Sequence, residues 1–151
     1  NKPKYLYIKG NELGTYKDDD KIVKVIAGKY ENAEGPEKNH NVEPIYFHIN
    51  LEKDKEFKCD VPSSHNSFIY LLTGELKIGE KKHAKTDNSN LILLDKGERL
   101  IVKANKKSEF LFIAGKPIGE PIARGGPFVM NTKEEILQAV QDYHNGTFAK
   151  Y

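Results

Sequence analysis

Residues 119–148, GEPIARGGPFVMNTKEEILQAVQDYHNGTF, hold the most specific local pattern in the chain. Thr132 can cap a helix, and Glu135, three residues later, completes a capping box. We expect the helix to end at Asn145 and Gly146, because glycine tolerates the left-handed conformation. Apolar side chains follow the helical period on one face: Ile136, Leu137, Val140 and Tyr143. Prolines and glycines fill residues 115–127, so we expect an irregular strap followed by a helix that docks by its apolar face.

The same stretch resembles a known family. GEPI, an Arg, GPFVMNT, EEI, DY, NG and a final Phe occur in an order and at a spacing similar to the C-terminal signature of the pirins, a branch of the cupin superfamily. Gly125 departs from the pattern, since the family commonly carries an aromatic residue there. The resemblance covers most of the chain but only the second half of a pirin. It implies an all-β fold, an antiparallel double-sheet jelly roll with a C-terminal α-helix.

The pattern of hydrophobic residues upstream independently favours short antiparallel strands. Residues 44–51 alternate, with Ile45, Phe47 and Ile49 on one side, which is typical of a half-buried strand. We expect a strand over 68–72 that ends at Thr73-Gly74, and a return strand over 75–78. Further strands are expected at 21–28, 57–61, 91–94, 100–104 and 109–114. Residues 29–42 contain Gly35, Pro36 and several charged residues, so we expect a loop there. Many short strands with turn signals between them predict a sandwich or barrel.

The resemblance also suggests where the domain begins. Pro3 and Tyr5 are placed like residues of the linker between the two cupin halves of a pirin. We therefore expect residues 1–20 to be a linker-like segment and residues 21–151 to form the C-terminal cupin domain with its terminal helix.

Composition excludes several classes of function. The formal net charge is +2, from 24 basic and 22 acidic residues, which argues against direct nucleic-acid binding. Cys59 is the single cysteine, so there is neither an internal disulfide nor a thiolate metal cluster, and we expect it to act as a small buried apolar side chain. No apolar run reaches membrane-spanning length, so no membrane association and a cytoplasmic location are expected.

Metal binding is tested by counting along the two cupin motifs. The resemblance to cupin enzymes implies a divalent metal held by three His and one carboxylate. This ligand set suits iron-type oxygen chemistry. Counting back from Gly74, the first-motif positions fall near Asp60, Pro62 and Asn66 or, one residue on, at Val61, Ser63 and Ser67. Residues 96–104, the second motif, contain no His. We predict neither metal nor cofactor, and no catalytic residues, in this chain. In pirins the metal and the quercetin 2,3-dioxygenase-like activity belong to the N-terminal half.

The remaining polar groups leave alternatives open. His65 follows two serines and either hydrogen-bonds its loop or faces a ligand at the mouth of the barrel. His48 alternates with Tyr46 on the polar face of its strand, which favours an ordinary exposed histidine. His40 and His83 fall in loop or hairpin segments, and His144 suits the helix C-terminus. If the barrel binds a small molecule, the polar groups to test are Tyr46, His48, His65 and Tyr70.

Two classes of function follow. The favoured hypothesis is a non-catalytic structural or interaction module that pairs with a metal-bearing cupin half or self-associates as a homodimer. The alternatives are a small-molecule-binding or metal-independent cupin enzyme, or the second half of a quercetin 2,3-dioxygenase-like bicupin. The resemblance also implies transcriptional co-regulation, through a protein partner rather than DNA. Enzymatic activity of this chain alone is not expected.

Overall fold

The computed structural model describes residues 7–36, 41–79, 82–85 and 90–148. The expectations for Pro3, Tyr5, His40 and the side chain of His83 lie outside the described part. The chain divides into two compact units, Asn1–Pro117 and Ile118–Tyr151. The first holds β-strands and a short 3-10 helix at Gly10–Glu12, and the second holds a small hairpin and an α-helix.

The strands of the first unit pair in antiparallel fashion throughout. In chain order they are β1 (Gly14–Lys17), β2 (Lys21–Ala27), β3 (Lys29–Tyr30), β4 (Ala33–Glu34), β5 (Ile45–Leu51), β6 (Glu56–Asp60), β7 (Asn66–Ile78), β8 (Lys82–Lys85), β9 (Asn90–Leu93) and β10 (Arg99–Gly115). The alternation predicted for residues 44–51 is confirmed, because Phe47, Ile49 and Leu51 are buried in β5.

Two long strands, β7 and β10, belong to both layers of the fold. The first part of β10 pairs with β6, and its second part pairs with β5. The first part of β7 pairs with β9, and its second part pairs with β8. One layer therefore runs β1-β2-β5-β10-β7-β9 and the other β6-β10-β7-β8. This is the expected double-sheet jelly roll.

The two long strands change layers at a bend around Gly74. Its φ is +96°, and a Cβ added there would lie 2.6 Å from Lys107 O and from Ser108 Cα. The buried Ser108 Oγ accepts a hydrogen bond from Glu75 N at 3.0 Å and donates one to Lys106 O at 2.7 Å. The prediction that one strand ends at Gly74 and another returns was wrong. Glycine lets a single strand bend and continue.

The core lies between the two layers and is rich in aromatic side chains. Tyr30 stacks on Phe57 at a centroid distance of 5.2 Å, and Phe57 meets Phe110 edge to face at 5.9 Å. Phe47 and Phe112 extend the cluster. Large fully buried side chains therefore form the centre of the described interior.

Two short features differ from the sequence-based expectation. Residues 29–34, predicted as part of a loop, form the hairpin β3–β4, because Tyr30 and Ala33 insert into the core. Strand β1 pairs with β2, although no core element was predicted in that region. In both places long-range packing overrides weak local propensity.

The second unit contains β11 (Ala123–Gly125), β12 (Phe128–Met130) and α1 (Lys133–His144). The expectation of a strap without regular structure was wrong here, because β11 and β12 form a hairpin. The predicted capping box is confirmed: Thr132 Oγ1 accepts from Glu135 N at 3.2 Å, and Glu135 Oε2 accepts from Thr132 N at 2.9 Å. Such a cap stabilises a helix by about 1 kcal/mol. Gly146, at a φ of +67°, follows the helix as predicted.

The apolar face of α1 is only partly covered. Ala139 is buried, and Ile136 and Val140 are half-buried, whereas Leu137 and Tyr143 are exposed. A methyl of Ile136 lies where a Cβ on Gly125 would stand, which explains why glycine fits at this departure from the family pattern. The ring of Phe128 packs against those of Tyr143 and Phe148, at centroid distances of 6.0 Å and 5.0 Å.

Candidate functional site

Three of the four side chains predicted to bind a ligand inside the barrel lie on its outer surface. Tyr46 and His48 alternate with the buried Phe47 and Ile49 of β5, so they face the opposite side. Tyr70 lies between the buried Ile69 and Leu71 of β7 and faces outward for the same reason. The inner face of β5 and β7 is occupied by the buried apolar side chains of the core.

Cross-strand register places these residues in two rows on the outer face, which we call the outer rows. The first row contains Tyr46, Ile113, Phe68 and Leu93, and the second contains His48, Leu111, Tyr70 and Leu91. Directly opposed residues on one face of a sheet lie in contact range of one another. The outer rows therefore form a continuous surface across β5, β10, β7 and β9.

The outer rows are largely apolar, and their β9 end is open to solvent. Leu91 is 57% exposed and Leu93 is 69% exposed, while the residues nearer the middle are half-buried. A sheet with one face in water normally alternates apolar and polar residues, whereas a sheet covered on both faces carries near-continuous apolar runs. FLFIA in β10 and SFIYLL in β7 are such runs. That signal was present in the sequence and identifies Leu111 and Ile113, which the residue-by-residue reading missed.

His48 has a specific partner on this face. Its Nε2 lies 2.6 Å from Oε1 of Glu109, and the side chains are 23% and 36% exposed respectively. The pair is diagonal across β5 and β10, since Asn50 is the residue directly opposite Glu109. His48 is thus half-buried and engaged, and the sequence pattern did not identify Glu109. The arrangement supplies one polar contact at the edge of an apolar surface.

His65 lies apart from the other three predicted residues. Its side chain is 1% exposed, and neither ring nitrogen has a hydrogen-bond partner among the residues described. Oε2 of Glu43 lies 4.0 Å from Nε2. The surrounding loop is held instead by its backbone, because His65 N donates to Pro62 O at 2.9 Å and Lys96 Nζ donates to the carbonyls of Ser64 and His65, each at 3.1 Å.

A cavity of about 500 Å³ opens at one end of the space between the two layers. Apolar side chains line part of it: Val61, Ile78, Leu94, Leu100 and Ile101. Lys96, Arg99, Asp95 and Ser67 contribute polar atoms. Several of these residues fall where the cupin motifs were counted, at Val61, Ser67 and within 96–104. The sequence did not indicate that these segments enclose a cavity.

Cys59 lies on β6, and the pKa of its thiol is strongly raised. Burial raises the pKa of its thiol to about 12, with a smaller contribution from the negative charge of Asp60. A thiol that stays protonated is a weak nucleophile. The side chain packs against the core, which agrees with the prediction of a small apolar role.

Among the residues that the structure describes, no three or more His, Cys, Asp or Glu side chains come together in a group that could hold a metal ion. The same part of the chain contains no helix that combines the length and apolarity needed to cross a membrane.

The bent strands and double layer define a cupin-type jelly roll, and comparison with known proteins gives the family. The profile of the Pirin C-terminal cupin domain matches residues 46–149. Human pirin is 33% identical over 147 residues, which cover 95% of this chain and 50% of that protein. A pirin-like protein of Solanum lycopersicum is 39% identical over 104 residues, 68% of this chain and 36% of that protein. The chain therefore belongs to the pirin family and contains its C-terminal cupin domain.

A solved structure extends the match to nearly the whole chain. The crystal structure of a quercetin 2,3-dioxygenase from Acinetobacter baumannii superposes with a TM-score of 0.85 at 28% identity, and covers 97% of this chain and 51% of that one. The chain thus spans about half the length of the relatives it matches over most of its residues.

Proposed function

We propose that this chain acts as a non-catalytic cupin module that pairs with a second cupin domain through the outer rows. The observation that carries the proposal is the apolar character of both faces of β7 and β10. The inner faces are buried in the core, whereas the outer face ends in Leu91 and Leu93, which are more than half exposed. An apolar surface of this kind on a sheet favours burial against a partner.

The proposed occupant is another cupin domain. The relatives are about twice as long as the matched region, so each has room for a second domain of similar size. For this chain studied alone, the available second domain is another copy. A pair of identical sheets can meet about a two-fold axis, in which each outer row contacts the same surface of its partner. The proposal assigns no reaction to this module.

Sedimentation velocity at micromolar concentration tests the proposal. We expect the chain alone to sediment as a dimer and the double variant Leu91→Lys, Leu93→Lys to sediment as a monomer, because charges buried in an interface are costly to desolvate. Circular dichroism should show that the variant keeps its strand content.

Val129→Lys is the matched control, since Val129 is 58% exposed and lies outside the outer rows. It should leave the dimer intact. A clean monomer of the unmodified chain, together with no complex with the N-terminal half of a pirin-family protein, overturns the proposal.

A further inference from the structure

We propose that the free edge of β9 pairs with β9 of a second copy of this chain, so that two jelly rolls share one continuous sheet. This inference rests on the association proposed above, and it names the contact by which two copies meet. On one side, β9 pairs with β7. On its other side, no strand pairs with it in the part of the chain that the structure describes. An unpaired strand edge is a template for a further strand.

The backbone hydrogen-bonding groups of β9 alternate in direction along the strand. Leu94 N, immediately after β9, donates to Ser67 O of β7 at 3.1 Å. In an antiparallel pair, residues that bond the neighbouring strand alternate with residues whose N–H and C=O point away from it. Ile92, two residues before Leu94, therefore also bonds β7. The N–H and C=O groups of Leu91 and Leu93 point away from β7, toward the free edge.

The edge of β9 lacks the charges that protect other strand edges of this fold. Among the described strands, β1, β6 and β8 also pair on one side only, and each of them contains a lysine. Charged residues on an edge strand oppose pairing with another chain. The sequence of β9 is NLIL, without charge or proline, and Leu91 and Leu93 are 57% and 69% exposed. Of these four edges, β9 is therefore the best suited to strand addition.

The edge of β9 is complementary to itself, which identifies a second copy as its occupant. In antiparallel pairing about a two-fold axis at Ile92, Leu91 of one copy lies opposite Leu93 of the other. Because both residues point their N–H and C=O outward, each opposed pair exchanges its backbone hydrogen bonds. The same register places leucine beside leucine on the outer face, so the outer rows of the two copies join end to end. Each β9 has a single free edge, so pairing stops at a dimer.

Proline separates strand pairing from side-chain packing in sedimentation experiments. Leu93→Pro removes an N–H that points away from β7, so β9 keeps its hydrogen bonds to β7 but loses a donor at the free edge. Leu93→Ala is the matched control, because it truncates the same side chain and retains the N–H. We expect Leu93→Ala to raise the Kd of the dimer about tenfold, and Leu93→Pro to raise it at least about tenfold further. Equal effects of the two variants overturn strand pairing, while the association through the outer rows stands.

Amide hydrogen exchange tests the same pairing in the unmodified chain. The amides of Leu91 and Leu93 should exchange about 100-fold more slowly in the dimer than in the chain diluted to monomer. The amide of Ile92 should be protected in both states, because it bonds β7.

A dimer in which the Leu91 and Leu93 amides exchange as fast as in the monomer overturns strand pairing and leaves the association through the outer rows intact. A chain that stays monomeric but binds the N-terminal half of a pirin-family protein overturns self-pairing alone. A chain that does neither overturns both the pairing and the association.

Discussion

The sheet formed by β5, β10, β7 and β9 carries apolar residues on both faces, yet the two faces differ in how far they are buried. On the inner face, Phe47, Phe110 and Phe112 are fully enclosed and contact other rings. On the outer face, Tyr46 and Leu111 are half-buried, and the surface continues to exposed leucines on β9. The inner face determines whether the domain folds. The outer face is available for association, and its residues can change without loss of the core.

The largest difference should appear when neighbouring residues on the two faces are truncated. Phe110→Ala removes a fully buried ring that contacts Phe57, so we expect it to lower the free energy of unfolding by about 3–5 kcal/mol. Leu111→Ala, one residue later on the outer face, should cost about 1 kcal/mol. Urea unfolding in the monomeric Leu91→Lys, Leu93→Lys background, where no partner covers the outer face, measures both. Equal losses would show that the two faces are equally enclosed.

Thiol reactivity gives a second contrast between inside and outside. Because burial raises the pKa of Cys59 to about 12, its thiolate fraction at pH 8 is very small. We expect iodoacetamide to alkylate it about 100-fold more slowly in the folded chain than in urea. The rate should keep rising through pH 10 without a plateau, since the raised pKa lies above that range. Thr73→Cys in a Cys59→Ser background is the exposed control and should react as a free thiol does; equal rates for the two cysteines contradict the difference.

The bend that separates the two layers can be broken at one residue. Gly74→Ala places a Cβ against Lys107 and Ser108 at a φ of +96°, so we expect a loss of about 2 kcal/mol or more. Gly79→Ala shares a positive φ, +57°, but has no atom within 4 Å of the added Cβ. It should cost about 1 kcal/mol. Thermal or urea unfolding compares them, and a larger loss at Gly79 would mean that close packing at the bend is unimportant.

The smallest effect is expected from the polar pair on the outer face. In the monomeric Leu91→Lys, Leu93→Lys background, a double-mutant cycle with His48→Ala and Glu109→Ala should give a coupling free energy of about 0.2–1 kcal/mol, because solvent screens both side chains. Added salt should reduce the coupling further. A coupling as large as the loss at Phe110 would indicate that this face is dry and enclosed in the isolated chain.

Local patterns predicted several elements well. The capping box at Thr132 and Glu135 and the alternation across β5 depend on neighbours within a few residues, and both were confirmed. The bend at Gly74 was mistaken for a turn, because a glycine after a strand is compatible with both. Cross-strand pairs on both sides of Gly74, Thr73 with Glu109 and Glu75 with Lys106, show that the strand continues.

The candidate sites were less accessible to sequence reasoning. Tyr46 and His48 were correctly read as alternating with apolar residues, but the face that becomes the interior is decided by the layer that packs against it. No sequence pattern indicated that residues near the ends of β6, β7 and β10 would line a common cavity. Such convergence is a property of long-range register, which no short motif encodes.

By itself the sequence determined the class of fold, the terminal helix and the family signature, because these depend on periodicity, capping residues and short motifs. Tertiary structure alone decided which face of each strand is core and that β7 and β10 bend between layers. It also decided that His65 is buried while His48 meets Glu109. The physical reason is that local patterns constrain neighbours within a few residues, whereas burial and partnership depend on residues far apart in the chain.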